Sequence, residues 1–583
     1  MNLLLENELN GILSAVFEKN NLDKKFAFVK VSDRPDLSDF QCNGALALAK
    51  IAHKNPREIA TLIAEELQKT DFIDTISVDG PGFINIKLKN EFIATNADKM
   101  AADERLGCGE VEDKHKVILD YGGPNVAKEM HVGHLRSGVI GESIRRIEKF
   151  VGNEVIADVH LGDWGTPMGM ILAEIIKTDG NLDKVNSYDI AQITEFYRNA
   201  NIRCKEDEEA KEVARKITAE LQGGNSEYRK AWQHLRSESV KAIKENYEQL
   251  DVNFDLWWGE SDAHETCGKI VKIARETGAS EVDAGAEIIR LEESNKPKPP
   301  VIMVKSDGAF GYQLTDIATI KMRVDDLDAK EIVYFTDNRQ TLHFEQVFEV
   351  VEKLNIAPDV KLKHIVFGTV NGADGKPFKT RDGGVMNLET LIEISKDKVR
   401  QSLPKAGEVE GYGKEEIEKL TLQIAVAAIK FQDLKNTIAS GYIFELEDFA
   451  KFEGKTGPYI QYAVARINSM LRKAKANGLS LGKIVLQAPE ERALALKLAQ
   501  IHNVIMRAHN EKEPSIIADY AYNLAQIFST FYNTCSVMNA DSAELAASRL
   551  TLAKLVRDVL TLMLYLLGIE APEVMLKAEN QGE

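Results

Sequence analysis

The stretch Gly122-Gly123-Pro124-Asn125-Val126-Ala127-Lys128-Glu129-Met130-His131-Val132-Gly133-His134-Leu135-Arg136-Ser137 constrains this chain more than any other. It follows a strand-like run, Val117-Ile118-Leu119-Asp120-Tyr121. A Gly-Gly-Pro break after a strand reads as a loop. Apolar residues then recur at Val132, Leu135, Val139, Ile140, Ile144 and Ile147, which is helical spacing up to about Gly152. The pattern therefore predicts strand, glycine-rich loop and helix, with His131 and His134 on one face of the first helical turn. Gly133 lies between them and leaves room for a base or phosphate to approach the backbone. A helix N-terminus adds unpaired N–H groups and a partial positive charge. Such an arrangement suits a triphosphate, with imidazoles placed to stabilise charge that builds up on attack at phosphorus.

A metal is the competing reading of a His-x-x-His pair. Zinc needs three or four ligands. His160 is the one nearby third candidate, and the chain holds no Cys-x-x-Cys. No metal site, and no structural zinc, is expected.

Composition narrows the remaining choices. A chain of 583 residues should hold about three or four domains. At 44% hydrophobic and 28% charged it has ordinary globular proportions. It has no apolar run long enough for a membrane span. Its N-terminus, with Glu6 and Glu8 early, lacks the basic start of a signal peptide. The five cysteines are scattered and odd in number, which fits free thiols in a reducing cytoplasm. The net charge of −18 disfavours a nucleic-acid partner on its own. Its distribution is less simple, because Lys451 to Asn510 holds ten Lys/Arg against three Asp/Glu. That stretch is either a phosphate-tracking surface or a solvated helix face.

The chain divides into three parts. Residues 1–108 read as an α+β unit. Helical patterns cover Leu4 to Phe17, Asn43 to Ala52 and Pro56 to Thr70, and strand patterns cover Ala27–Val31 and Phe83–Leu88. Residues 109–394 alternate strands and helices, with strands expected at Val117–Asp120, Glu154–Val159, Val301–Lys305, Ile332–Thr336 and Lys363–Phe367. That alternation implies a doubly wound parallel sheet, interrupted by a charged helical insertion at about 179–253. From 395 to 583 the pattern is a helical bundle, with its core from about 454. Helices are expected at Ile424 to Asp433, Tyr459 to Ala476, Glu490 to Ala508, Ser515 to Met538 and Ser542 to Leu567.

His131-Val132-Gly133-His134 is similar to the "HIGH" signature of class I aminoacyl-tRNA synthetases. The longer string from Pro124 to Arg136 resembles the arginyl-tRNA synthetase family, and further matches run along nearly the whole chain. The resemblance implies the fold class: a class I, Rossmann-type doubly wound parallel sheet with an N-terminal α+β domain and a C-terminal all-α bundle. It implies ATP-dependent joining of L-arginine to its tRNA through an arginyl-adenylate, with Mg²⁺ accompanying ATP. The remaining alternatives are a synthetase for another amino acid and a catalytically dead tRNA-binding relative. A cytoplasmic monomer is expected.

The resemblance also assigns residues. His131, Gly133 and His134 would hold ATP, with His131 and His134 catalytic. Gly375-Lys376-Pro377-Phe378-Lys379-Thr380-Arg381 resembles the second class I signature, KMSKS, with Lys376 and Lys379 on the phosphates and Lys379 and Arg381 as a catalytic clamp. Thr380 stands where a second lysine is usual, and Lys128 would supply the missing cation. Tyr312 and Asp316, four apart on one helical face, would receive the guanidinium. Gln340, at a strand end, and Asp120 and Asn125, on the α-amino side, would complete the arginine site. His160 and Asp163 lie in a further matching segment, with contact to ATP or substrate as their expected role. For tRNA, Phe83 would stack on an unpaired base of the elbow and Asn85 would bond its edge, unless Phe83 is a core residue. Tyr459 and Tyr462, three apart beside the basic stretch, would stack on anticodon bases or pack in the core. Met575 would make a further anticodon contact.

Overall fold

A computed structural model of the chain describes residues 5–32, 34, 37–291, 298–372, 375, 386–404, 412–444 and 453–575. The N-terminal unit contains α1 (Leu5–Lys19), β1 (Val29–Val31), β2 (Phe40–Cys42), α2 (Gly44–Ala52), α3 (Pro56–Leu67), β3 (Ile73–Asp79), β4 (Phe83–Leu88) and α4 (Asn90–Ala102). Its strands form an antiparallel sheet in the order β1-β2-β4-β3. Leu9, Leu13 and Phe17 of α1 and Ile59 and Ile63 of α3 fill its core with Ile84 and Ile86 of β4.

The central sheet begins with β5 (Lys116–Asp120), α5 (Gly133–Phe150) and β6 (Glu154–Asp158). After β6 the chain runs through α6 (Thr166–Asp179) and an all-helical insertion, α7 (Ile190–Glu206), α8 (Glu208–Gln222) and α9 (Ser226–Gln249). Then come α10 (His264–Glu276), β7 (Glu281–Asp283), β8 (Ala286–Ile289), β9 (Val301–Val304), α11 (Tyr312–Asp325), β10 (Glu331–Asp337), α12 (Thr341–Lys353) and β11 (Lys361–Phe367). Four strands pair in parallel in the order β11-β10-β5-β6. Alternate residues of the inner strands enter different cores. Val117, Leu119, Val333 and Phe335 pack with α5, whereas Ile118, Ile332 and Tyr334 pack with α11 and α12. Burial on both faces explains why these strands read as continuous apolar runs. The path leaves β5 toward β6 and returns to β10 on its other side. The loop after β5 therefore sits at the switch point where open α/β sheets hold ligands.

One predicted strand belongs elsewhere. Val301–Lys305 is not in the parallel sheet; β9 pairs antiparallel with β8, which forms a hairpin with β7. The run Val301-Ile302-Met303-Val304 is apolar throughout, yet Ile302 is 40% exposed. Its apolarity imitates a doubly buried strand, but only one face is covered.

Apart from a short parallel pairing of Val370–Asn371 with Tyr442–Ile443, the remainder forms helices: α13 (Leu388–Arg400), α14 (Lys414–Leu434), α15 (Gly457–Ala476), α16 (Pro489–Leu498), α17 (Ile501–Glu511), α18 (Ser515–Thr534) and α19 (Ala543–Leu566). The single helix expected over Glu490–Ala508 is two, broken between Leu498 and Ile501. No described helix is long and apolar enough to cross a membrane. The bundle is tied to both other parts by buried charge. Arg492 of α16 pairs with Asp39 beside β2 at 2.6 Å, and Lys512 and His509 engage Glu148 at the end of α5.

Candidate active site

The loop after β5 is held from several sides. Val126 N–H donates to Gly162 O at 3.1 Å, and Gly162 N–H donates to Pro124 O. A Cβ on Gly162 would lie 2.0 Å from Asn125 Oδ1, so glycine there makes room for the Asn125 side chain. Val132 N–H donates to Met386 O, and Leu388 N–H to Met130 O. Helix α9 of the insertion supports the loop too. Tyr247 Oη donates to Gly122 O at 2.7 Å, and Ser239 Oγ accepts from Ala127 N–H at 2.8 Å.

Helix α5 starts at Gly133, so His131 lies before it and not in its first turn as the spacing predicts. The two imidazoles still meet, with centroids 4.0 Å apart and planes tilted by 30°. His131 also fills the space above Gly133 that the sequence suggests is open. A Cβ on Gly133 would lie 2.7 Å from the His131 ring, and Gly133 N–H donates to His131 Nδ1 at 3.0 Å. That N–H is spent inside the loop, not left for a ligand. His131 N–H donates in turn to His134 Nδ1 at 3.1 Å. Both Nδ1 atoms accept from backbone, so the hydrogen-bond network assigns the proton of each neutral ring to Nε2. Burial, His131 and Lys128 push the His134 imidazole down to about 3. Burial, Lys128 and Arg339 lower His131 as well. The pair thus forms two neutral Nε2–H donors near neutral pH.

Lys128 is half-buried, with Nζ 4.5 Å from the centroid of the Tyr197 ring on α7. Among the described residues no carboxylate pairs with it. Lys376, Lys379 and Arg381 lie outside the described residues. The chain entering their segment is anchored by Arg136 of α5, a buried guanidinium whose Nη1 donates to Gly368 O and Ser440 O at 2.8 Å each.

A second group of side chains brings acids together with histidines. Tyr312 opens α11 and is 60% exposed; its ring stacks on His343 at 5.0 Å with planes 14° apart. Asp316, one turn on, accepts from His343 Nε2 at 2.7 Å, and His160 Nε2 lies 3.9 Å from its other oxygen. The Nδ1 atoms of His160 and His343 are buried and have no partner among the described residues. Burial works against a charged His160, but Asp120 and Asp316 outweigh it and raise its pKa. Asp120 ends β5 in a buried ion triad: Arg323 Nη2 donates to Asp120 and Asp158 at 2.6 Å each. Asn125 is exposed at the loop surface. Gln340 is exposed, but it sits in a 3₁₀ turn over Asn338–Gln340, beyond the end of β10, and not at the strand end. Asp163 is fully buried and bound by Arg236 and by the backbone and hydroxyl of Ser261, so its carboxylate is taken up by structure.

Sequence reasoning missed four residues here: Tyr197, Glu260, Arg323 and His343. Glu260 follows the Trp257-Trp258-Gly259 segment. Burial pushes its carboxyl up to about 7, against the pull of His160 and with the Asp316 charge adding to the shift. Glu260 and Tyr312 line a cleft of about 1300 Å³ between α8 and the β8–β9 sheet. The clue available in sequence was weak, because Asp255 and Asp262 flank the same tryptophans and nothing local singles out Glu260.

The remaining candidates are placed as follows. Phe83 is half-exposed at the start of β4. The Asn85 side chain is bonded within the sheet: its oxygen accepts from Gln41 at 2.9 Å, and its nitrogen donates to Asp79 at 2.6 Å. Tyr459 and Tyr462, in the first turns of α15, are both half-buried; Tyr459 leans on Tyr522 at 5.7 Å. Met575 packs on the apolar patch formed by Val399, Leu403, Leu420 and Ile424. Among the described residues no group of three or more His, Cys, Asp or Glu is arranged to hold a metal ion.

Three family descriptions match the chain: the arginyl tRNA synthetase N-terminal domain over residues 3–88, the catalytic domain of class I (R) tRNA synthetases over 97–446, and the DALR anticodon binding domain over 460–575. The chain is 42% identical to an arginine–tRNA ligase from Alkaliphilus oremlandii, covering 98% of this chain and all of that protein. It is 41% identical, with the same coverage, to one from Hyphomonas neptunium. The arginyl-tRNA synthetase structure from Plasmodium falciparum superposes with a TM-score of 0.79 at 26% identity, over 98% of this chain and 99% of that one.

Proposed function

We propose, for a chain that belongs to the arginyl-tRNA synthetase family, that it joins L-arginine to its tRNA in two steps at this site. One observation carries the assignment of roles: acids gather at one end of the site, and uncompensated donors gather at the other. The guanidinium enters the acidic end, where Asp316 accepts its planar fork, Glu260 supplies a second acceptor and Tyr312 covers it. Lysine is rejected because a compact ammonium leaves buried acceptors unpaired. Asn125 and Gln340 orient the amino acid from the rim. Asp120, held by Arg323, presents negative charge toward its α-amino group.

In the first step a carboxylate oxygen of arginine attacks the α-phosphorus of ATP, and pyrophosphate leaves. The Nε2–H groups of His131 and His134 donate to oxygens that gain charge in the transition state. Being neutral, they can do so without the desolvation cost of a buried cation. Lys128 sets an ammonium beside the phosphates, and Lys376, Lys379 and Arg381 of the second signature are the further cations assigned to them. In the second step a hydroxyl of the terminal adenosine of tRNA takes the arginyl group, and AMP leaves. Mg²⁺ accompanies ATP as a counter-ion of its phosphates; no residue of the chain is assigned to it. The N-terminal unit, through Phe83 and Asn85, receives the tRNA elbow. Tyr459, Tyr462 and Met575 face the anticodon end. We place the reaction in the cytoplasm, carried out by a monomer.

ATP–pyrophosphate exchange with each of the twenty amino acids, with and without total tRNA, tests this reading. Exchange is expected with arginine alone, and only when tRNA is present. Exchange driven by another amino acid would overturn the specificity. No exchange under any condition, with tRNA still bound, would identify a binding protein.

A further inference from the structure

The Lys128 ammonium has a neighbour that no motif announced. Tyr197 lies on α7, in the helical insertion, and its ring stands 4.5 Å from Lys128 Nζ. The helix that carries it is well fixed. Asp189 caps its first turn reciprocally with Gln192, and Ile193 and Ala200 are buried on its inner face. The insertion therefore grips the signature loop at three points: Tyr247 at Gly122, Ser239 at Ala127 and Tyr197 at Lys128.

The kind of contact matters as much as its position. A lysine in a loop can be held by a carboxylate or by an aromatic face. A carboxylate neutralises the ammonium and repels an incoming triphosphate. An aromatic ring attracts the cation through its quadrupole and leaves the net charge in place. The acid next to Lys128 in sequence is directed elsewhere: Glu129 accepts from Asn387 at 3.0 Å. Lys128 is near enough to His131 and His134 to lower the basicity of both. The ammonium is thus held beside the histidine pair with its full charge available.

We propose that Tyr197 is a positioning residue for the adenylation step, whose ring holds Lys128 in place without neutralising it, and that this is a working role of the helical insertion. The proposal rests on the reading of Lys128 as a phosphate-binding cation. Tyr197 touches no reacting atom. Its contribution is to restrict a long, flexible side chain to the orientations useful at the phosphates.

The test is arginine-dependent ATP–pyrophosphate exchange in the full-length chain with tRNA present. Tyr197→Leu should lower kcat about fivefold to tenfold, with the KM for arginine within twofold of wild type. Tyr197→Phe keeps the ring and should restore the rate to within about twofold. In a Lys128→Met background, Tyr197→Leu should cost nothing further, because the side chain it positions is gone. Should Tyr197→Leu fail to fold, progressively fluorinated phenylalanines at position 197 keep the shape and weaken the quadrupole, and kcat should fall in step with fluorination. An unchanged kcat in Tyr197→Leu, a flat fluorination series, or a full additional loss in the Lys128→Met background would each overturn the proposal. Wild-type chain without arginine-dependent exchange would instead overturn the functional reading beneath it, so the two failures are distinguishable.

Discussion

Asp316 and Lys128, the two charges proposed above for arginine and for ATP, have different surroundings. Asp316 lies among polar partners: His343 at 2.7 Å, His160 at 3.9 Å and Glu260 in the adjoining cleft. Lys128 has an aromatic ring, two histidines held neutral and no carboxylate partner among the described residues. Asp316 thus has partners in the empty site, and on the proposed roles a guanidinium replaces or joins them. On the proposed roles, the Lys128 end has no carboxylate partner among the described residues and leaves its charge for the nucleotide. Selectivity among amino acids needs the first design, because an incoming cation must satisfy acceptors in a fixed geometry. Attraction of a highly charged nucleotide needs the second.

The largest effect should come from breaking the acidic end. Asp316→Asn keeps shape and removes the charge. Arginine kcat/KM in pyrophosphate exchange should fall about a thousandfold, since a buried charge-assisted fork is lost along with its Coulombic partner. ATP binding, followed by calorimetry, should survive. A loss of less than tenfold would mean that Asp316 is not the guanidinium acceptor. On the phosphate side, Lys128→Met should lower kcat about a hundredfold with arginine KM nearly unchanged, the signature of an interaction made in the transition state. An unaffected rate would show that Thr380 needs no compensating cation. The two variants together test the comparison: one should act on arginine and spare ATP, the other the reverse.

How much of this was legible in the sequence depended on distance along the chain. The strand, loop and helix around Gly122 were readable because their signals are local: a break after an apolar run, then 3.6-residue spacing. That Tyr312 and Asp316 share a helical face was readable for the same reason, since they lie one turn apart on α11. The start of α5 was misjudged by two residues, because the chain at His131 pairs with Asn387, a remote segment that sequence spacing does not register. β9 was misplaced because a one-sided strand can be as apolar as a buried one. Arg323 was invisible because its partner Asp120 is 203 residues away. Tyr197 lay in an insertion whose pattern is simply charged and helical. Its ring acquires a role only once α7 folds back over the loop.

The smallest expected effect sharpens the comparison most, because it separates the two ends by their titration. Burial pushes Glu260 up to about 7, and the neighbouring carboxylates raise His160 above its ordinary value. Near pH 6, then, Glu260 is largely protonated and His160 largely cationic. One offers no charge to a guanidinium, and the other repels it. A bound guanidinium, which keeps its charge throughout, favours ionised Glu260 and neutral His160. The complex therefore holds fewer protons than the free chain, so arginine affinity must rise with pH across this window. About a tenfold tightening is expected between pH 6 and 8. Calorimetry in buffers of different ionisation heat should detect proton release on arginine binding near pH 7. Glu260→Gln should remove a large part of that release while Asp316 still holds the ligand. The phosphate end should not titrate alongside it, because His134, pushed down to about 3, is already neutral there and His131 is shifted in the same direction. Proton uptake on arginine binding, or a release that Glu260→Gln leaves intact, would show that the acidic end is compensated by other groups than the ones the geometry brings to Asp316.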